Sequence, residues 1–420
     1  MTAVKNLNQW LDSLNQHKID LGLTRITRVL SRVPFTNIKQ PIITVGGTNG
    51  KGSTVTATSI LLRQKNLRVG SFTSPHIFRY NERIQINGQA ATDAEIVLAF
   101  EAIDQARGDI ELSYFEYALL AAVLIFSQHQ VDYMVLEVGL GGRLDAVNAL
   151  PSVAAIITSV DLDHCHWLGE DIETIAAEKA AIMRPGCPVV YGDANCPQAI
   201  TQRAVQEQAD LMQWQHQYKT NIHNDCFDYC FKEYQFTGLN KPALPGDFQV
   251  QNFSAALTTL LSLGIEFSRH EVDSALKMMR LPGRIQVIQD NPQVIVDVAH
   301  NRQSVKALAA WLKANPTSGQ TRAVFSVLKD KQVEKWLHSI APEIDHWFIF
   351  QMDLERAIEL DSLKMKIADE NGLLSTFYSA TDAYEKALNS SAQNDRIIVF
   401  GSFHVLDEVF SGQSKVINNL

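Results

Sequence analysis

The chain has 420 residues, more than one hydrophobic core usually serves, so two domains are expected. Hydrophobic residues make up 46% and charged residues 20%, the balance of a soluble globular protein. Lys plus Arg is 37 against 46 for Asp plus Glu, a net −9 that repels nucleic acid and anionic membrane, and no Lys/Arg run reverses it locally.

Residues 1–12 lack the apolar core and small-residue cleavage pattern of a signal peptide, and no apolar run reaches the roughly 18 residues of a membrane-crossing helix. The five cysteines, Cys165, Cys187, Cys196, Cys226 and Cys230, are an odd count at irregular spacing with no Cys-x-x-Cys; they read as reduced thiols in the cytoplasm. Residues 1–40 read as amphipathic helix. Trp10, Leu11, Leu14 and Ile19 precede a turn at Asp20-Leu21-Gly22 and a second helix through Leu30.

Ile42, Ile43 and Val45 then read as a buried strand, and residues 53–65 as a helix, so the glycines of Val45-Gly46-Gly47-Thr48-Asn49-Gly50-Lys51-Gly52-Ser53-Thr54 fall on a strand-to-helix turn. A phosphate-binding loop belongs there: backbone N–H groups converge on phosphate oxygens, Lys51 adds a point charge, and Ser53 or Thr54 offers a hydroxyl to Mg²⁺. The spacing departs from the standard pattern, because Val45 stands where glycine is expected and Gly52 separates Lys51 from Ser53. A plain glycine-rich turn is the rival reading of this stretch alone.

A second strand over residues 68–72 ends in Thr73-Ser74-Pro75-His76, which puts Ser74 at the carboxyl edge where ligands collect in open α/β sheets. Residues 82–88 read as a short strand and turn. Thr92-Asp93-Ala94-Glu95 is a capping box opening a helix to about Arg107, and Ser113-Tyr114-Phe115-Glu116 leads an apolar helix over residues 117–128. The strand at 131–138 ends in Glu137, followed by the loop Gly139-Leu140-Gly141-Gly142-Arg143-Leu144-Asp145; an acid at a strand end beside a phosphate loop is the usual holder of nucleotide Mg²⁺.

The next strand, 153–160, carries Asp161, Asp163, His164 and His166 at its end. This reads as a metal or phosphate edge, with zinc or an ordinary polar turn as rivals. In the helix over 173–183, Ile172, Ile175, Lys179 and Ile182 share one stripe, so Lys179 lies on the apolar face and must snorkel, pair with an acid, or be chemically special. Residues 193–245 are polar and irregular with strand-like pieces around 229–236, and a helix-like stretch runs from Asn252 to Leu263. Leu281-Pro282-Gly283-Arg284 breaks the chain, giving domains 1–283 and 284–420. The second shows buried strands at 294–298, 323–327, 347–350 and 397–400, a smaller α/β sheet. Two of its strand ends, Asp297-Val298-Ala299-His300-Asn301 and Gly401-Ser402-Phe403-His404, read equally as ligand-facing groups or capped turns.

Taken together, Gly47-Thr48-Asn49-Gly50-Lys51-Gly52-Ser53, Thr73-Ser74-Pro75-His76, the 136–145 motif, Asp163-His164 with Leu168-Gly169, Glu178-Lys179-Ala180, Leu281-Pro282-Gly283-Arg284 and Asp297-x-Ala-His300-Asn301 resemble the dihydrofolate synthase and folylpolyglutamate synthase family, ATP-dependent amide ligases related to the Mur ligases. The resemblance covers nearly the whole chain in order. It implies a P-loop-type Mur-ligase central ATPase domain followed by a smaller Rossmann-like α/β domain, and it accounts for Gly52, which that family carries between Lys and Ser or Thr. By resemblance, Asn49, Gly50, Lys51, Gly52 and Ser53 hold ATP phosphates, with Asn252, Arg284 and Asp297 also on ATP. Ser74, Glu137 and His164 match Mg²⁺ ligands, and Lys179 matches a lysine that carbamylation turns into a carboxylate-like ligand. Lys51, Lys179 and His164 are the implied catalytic set. Two Mg²⁺ sites are implied, with K⁺ as a further candidate.

Asp20, Leu21 and Gly22, then Ser113, Tyr114, Phe115 and Glu116, and Leu144, Asp145 and Ala146 match dihydropteroate-contacting positions, while His300 and Ser402 are candidate substrate contacts. Ser113 stands where the family carries Thr, and His166 matches no family role. The implied reaction joins L-glutamate to dihydropteroate, and further glutamates to tetrahydrofolates, through an acyl phosphate in a cytoplasmic monomer, with the two domains closing over the reactants. Polyglutamylation alone, a Mur-type cell-wall ligase and a non-ligase NTPase are the rivals; for the second, no sugar-nucleotide domain is expected ahead of residue 41.

Overall fold

The computed structural model describes residues 6–14, 20–33, 38–370 and 372–411. Ile19, and residues 1–5 of the N-terminal stretch, lie outside them. The chain folds as two units: one takes residues up to 161, 168–243 and 247–280, the other 162–167, 244–246 and everything from 281. A single cut near residue 283 leaves two short segments on the wrong side.

In the first unit, β1 (Ile42–Gly46), β2 (Val69–Phe72), β3 (Ile84–Ile86), β4 (Gln89–Ala90), β5 (Tyr133–Glu137), β6 (Ala154–Ile157), β7 (Pro188–Tyr191) and β8 (Asp210–Gln213) form one sheet in the order β4-β3-β2-β5-β1-β6-β7-β8. It is parallel from β2 to β8, with an antiparallel hairpin at the β4 edge. β1 is buried at every position, as a strand covered on both faces must be, and its apolar run pays for no polar side chain except Thr44. The chain leaves β1 to one side for β2 and β5 and to the other for β6, β7 and β8, so the carboxyl edge around β1 is where such sheets take ligands.

Helices begin where the backbone donors find partners. The helix Asp93–Arg107 opens on the Thr92 capping box, and Ser113 with Glu116 makes a second one, so the apolar helix starts at Tyr114, three residues before the apolar run itself. Nearly every position of Tyr114–Gln128 after the first turn is buried, the signature of a helix enclosed on all sides. The region that gave no periodic signal holds the helix Gln198–Gln206 and an antiparallel sheet of β9 (Tyr218–Ile222), β10 (Cys226–Phe231) and β11 (Tyr234–Asn240). Phe227, Tyr229 and Phe231 alternate inward, and the Tyr229 hydroxyl meets Thr258 Oγ1 at 2.7 Å on the helix Phe248–Ser262. The strand-like pieces expected around 229–236 are thus the end of β10 and the start of β11, with a turn between them.

The second unit has β12 (Gln286–Asp290), β13 (Gln293–Val296), β14 (Thr321–Phe325), β15 (His346–Phe350), β16 (Leu373–Phe377) and β17 (Arg396–Phe400), ordered β12-β13-β17-β14-β15-β16, parallel except for the β12 edge. The two strands not expected from sequence are its edges. β16 is only partly covered, so it lacks the continuous apolar run that marks a central strand.

Candidate active site

The phosphate loop forms as the glycines require. Gly50 sits at φ +85° against the Asn252 side chain, a position open to glycine alone, and the helix begins at Lys51, two residues earlier than the sequence pattern suggests. The loop is tied to the end of β6: Thr48 N donates to Ser159 O at 2.8 Å, Asn49 N to Ser159 Oγ at 3.3 Å, and Thr48 Oγ1 accepts from Asp161 N at 3.0 Å. Lys51 Nζ lies over the loop, donating to Gly47 O and Thr48 O at 3.2 and 3.0 Å. Ser53 is buried in the helix's first turn beside Gly52. Asn252 donates its amide to Gln249 Oε1 at 2.9 Å, which fixes the amide so that its oxygen faces Gly50.

Ser74 and Glu137 lie at the carboxyl ends of β2 and β5, which pair in register through Phe72 and Leu136. Glu137 is 4% exposed and its Oε2 accepts from Ser74 N at 3.1 Å, so a buried carboxylate and a hydroxyl share one strand edge. Hard oxygen donors of this kind fit Mg²⁺. Lys179, in the helix Ile172–Ala180, is 4% exposed, and its ammonium donates to Gly47 O at 3.0 Å. The stripe lysine therefore points at the phosphate loop. Its helix is held in two ways. Gly142 approaches so closely that a Cβ there would lie 2.6 Å from Glu178 O, while Arg143 N and Nε bond Glu178 O and Oε1 at 2.9 and 2.8 Å. At the far end, Arg184 donates to the carbonyls of Ala181, Ile182, Met183, Asn148 and Leu150. Nothing in its spacing marked Arg184.

The run Asp161, Asp163, His164, His166 does not form a metal centre by itself. Among the described residues no three His, Cys, Asp or Glu side chains are placed to hold a metal. Asp161 serves the phosphate loop through its backbone, and Asp163 belongs to the second unit, where Lys331 Nζ lies 2.7 Å from Oδ1 and Asn301 Nδ2 2.9 Å from Oδ2. Burial opposes ionisation of Asp163, but the Lys331 ammonium, with His164 and His300, outweighs it and holds the carboxyl well below the usual range. His164, at φ +51°, stands 4.0 Å from Asp163, and His166 packs edge-on against Trp167.

In the second unit Asp297 is buried, accepting from Ile285 N and Ala299 N at 2.8 and 2.7 Å; burial pushes it up to about 6 against the pull of Arg284. Arg284 lies 5.1 Å over the Phe403 ring. His300 Nδ1 faces Val298 O at 2.8 Å, and burial, with Lys331 adding, lowers the imidazole to about 4, so it is neutral near pH 7. Ser402 accepts from Val405 N at 3.2 Å and caps the helix Phe403–Phe410.

The three segments that the resemblance matched to dihydropteroate contacts, 20–22, 113–116 and 144–146, meet in the first unit. Gly22 N donates to Leu144 O at 3.1 Å, joining the first to the third. Arg25, which sequence reasoning passed over, reaches Asp20 Oδ1 at 2.7 Å and Glu116 at 3.4 Å, joining the first to the second. Several side chains turn to their own backbone: Ser113 and Glu116 form the capping box, and Asp145 accepts from Leu140 N and Val147 N at 2.9 and 3.0 Å. Burial raises Asp145 to about 6 against those N–H groups. Tyr114 stands edge-on to Tyr80 with Arg83 over both rings, Phe115 lies 5.6 Å from Phe72, and Ala146 is buried; Leu21 and Leu144 are half-buried.

Residues 45–260 match the Mur ligase middle domain and residues 283–403 the Mur ligase glutamate ligase domain. The dihydrofolate synthase/folylpolyglutamate synthase of Escherichia coli (strain K12) is 36% identical over 97% of this chain and 95% of its own. Escherichia coli FolC in complex with DHPP and ADP is similar at a TM-score of 0.91, with 33% identity and 99% of both chains covered. A bifunctional folylpolyglutamate synthase/dihydrofolate synthase with Mn, AMPPNP and L-glutamate bound gives 0.89, with 35% identity over 99% of each chain. Matched along almost its whole length by these enzymes, the chain belongs to the dihydrofolate synthase/folylpolyglutamate synthase family of Mur ligases.

Proposed function

We infer that the chain is an ATP-dependent carboxylate–amine ligase that joins L-glutamate to 7,8-dihydropteroate, giving dihydrofolate, and adds further glutamates to tetrahydrofolates. The observation that carries this is a buried lysine ammonium 3.0 Å from the phosphate loop of a chain matched end to end by that family. A carboxylate is a poor electrophile. Transfer of the ATP γ-phosphoryl group makes it an acyl phosphate and releases ADP; the glutamate amine attacks the acyl carbon, and phosphate leaves as the amide forms.

Lys51 and the N–H groups of its helix N-terminus stabilise charge on the transferring phosphoryl group. Ser74 and Glu137 would hold one Mg²⁺, and His164 with carbamylated Lys179 another; when bound, the metal offsets phosphate charge. Asn252, Arg284 and Asp297 take the nucleotide, His300 and Ser402 the incoming glutamate, and the segments around Gly22, Phe115 and Asp145 the pterin. ATP and pterin are assigned to residues 1–283, and glutamate with the remaining ATP contacts to residues 284–420. No covalent protein nucleophile is needed. The proposed form is a cytoplasmic monomer; among the described residues no helix is long and apolar enough to cross a membrane.

The test is glutamate-dependent ADP release by the purified protein, with dihydropteroate and separately with tetrahydrofolate. Turnover with both is the expected result. Turnover with tetrahydrofolate alone would reduce the protein to a polyglutamate synthase and free the acceptor segments from their role, and turnover with neither would overturn the reading.

A further inference from the structure

We propose that Arg25 is a positioning residue for the acceptor: by bridging Asp20 and Glu116 it fixes the three acceptor segments against one another and so sets the affinity for dihydropteroate. The inference rests on the acceptor reading given above.

The short helix Thr24–Leu30 that carries Arg25 has no side-chain cap at its N-terminus, so the turn before it is not held by its own helix. Arg25 holds it instead, with Nη1 2.7 Å from Asp20 Oδ1 and Nη2 donating to Asp20 O at 2.7 Å. The same Nη2 lies 3.4 Å from both carboxylate oxygens of Glu116, which stands 91 positions along the chain. Glu116 is 2% exposed; its Oε2 is taken by Ser113 N at 2.7 Å, while Oε1 is buried with no hydrogen-bond partner and faces the guanidinium. A buried carboxylate in that state depends on a nearby cation. Gly22, between the two, then donates to Leu144 O, so the third segment is carried by the same bridge. Only a planar fork reaches the carboxylate and the carbonyl of one residue and the carboxylate of another; the single ammonium of lysine does not.

The experiment compares the full-length enzyme with R25A and R25K by glutamate-dependent ADP release and by equilibrium titration with dihydropteroate in the absence of ATP. For R25A the KM and Kd for dihydropteroate rise roughly ten- to a hundredfold, because small misplacements of substrate-positioning groups cost that much. The KM for ATP and for glutamate stays within about twofold, the pattern of lost binding at one substrate only. R25K falls between R25A and wild type. If R25A does not fold, R25K alone decides: a rise confined to dihydropteroate supports the bridge, and an unchanged KM overturns it. Equal rises for all three substrates together with a lowered Tm would make Arg25 merely structural and overturn the proposal. Wild-type turnover with an unaffected R25A overturns this proposal alone, whereas a wild type with no dihydropteroate-dependent turnover removes the acceptor reading and this proposal with it.

Discussion

Residues 47–50 and residues 161–166 follow neighbouring strands and look alike in sequence, each a dense group of chemistry-bearing residues at a strand end. They are used in different ways. In the first, backbone groups are spent on Ser159 and Asp161, and Lys51 and Lys179 turn to the loop. In the second, the most acidic group, Asp163, is spent on Lys331 and Asn301. Density of polar residues marks a place where something is bound, and only the partners tell whether the bound thing is a ligand or the protein itself.

The sharpest way to break that contrast is Lys331→Ala. It takes the ammonium away from buried Asp163, and urea denaturation is expected to register a loss of about 3–5 kcal/mol, the cost of removing one partner of a buried pair. Adding Asp163→Asn should recover much of it. An unaltered midpoint for the single variant would mean that the pair is dispensable. Lys51→Ala should instead leave stability nearly untouched and lower kcat for ADP release by about 10²–10³, the usual cost of deleting one charge-stabilising group.

Two buried carboxyls, Asp145 in the loop after β5 and Asp163, should respond to pH with opposite sign. Asp145 rises from 3.8 to about 6 in the fold, so its contribution is full below the unfolded value and is lost as pH climbs from about 4 to about 6. The loss is about 3 kcal/mol at about 1.4 kcal/mol per unit. Asp163 is depressed, so its contribution is present above the unfolded value and is lost as pH falls below it. Denaturation curves of Asp145→Asn between pH 4 and 6 should be flatter than those of the wild type, and identical slopes would reject the assignment. The smallest expected effect is that of Gly142→Ala, whose Cβ would press on Glu178 O and shift the Lys179 helix, lowering kcat by roughly tenfold. A variant of full activity would show that the helix can yield.

What sequence reasoning could reach was local. Buried strands and the residues at their ends follow from continuous apolar runs, and the place of Lys179 on an apolar stripe from the 3.6-residue period, and each lies where those patterns put it. Thr92-x-x-Glu95 and Ser113-x-x-Glu116 are one motif, and the second opens its helix at Tyr114, three residues ahead of the apolar run that marks it in the sequence. Partners distant in the chain leave no such trace: Lys331 stands 168 positions from Asp163, and Arg25 91 from Glu116. Arg184 is a third case, because carbonyl oxygens, its acceptors, are the same in every sequence. The family resemblance supplied the roles that spacing could not.

The assignment of residues 162–167 to the second unit has a consequence for synthesis. At about 5–20 residues per second, the ribosome delivers Lys331 roughly 10–30 s after Asp163. Throughout that interval a carboxylate destined for burial has no cation, and the strands around it can be in place long before the hexapeptide is. The nascent chain has to keep this piece in water until the last third of the protein arrives to claim it.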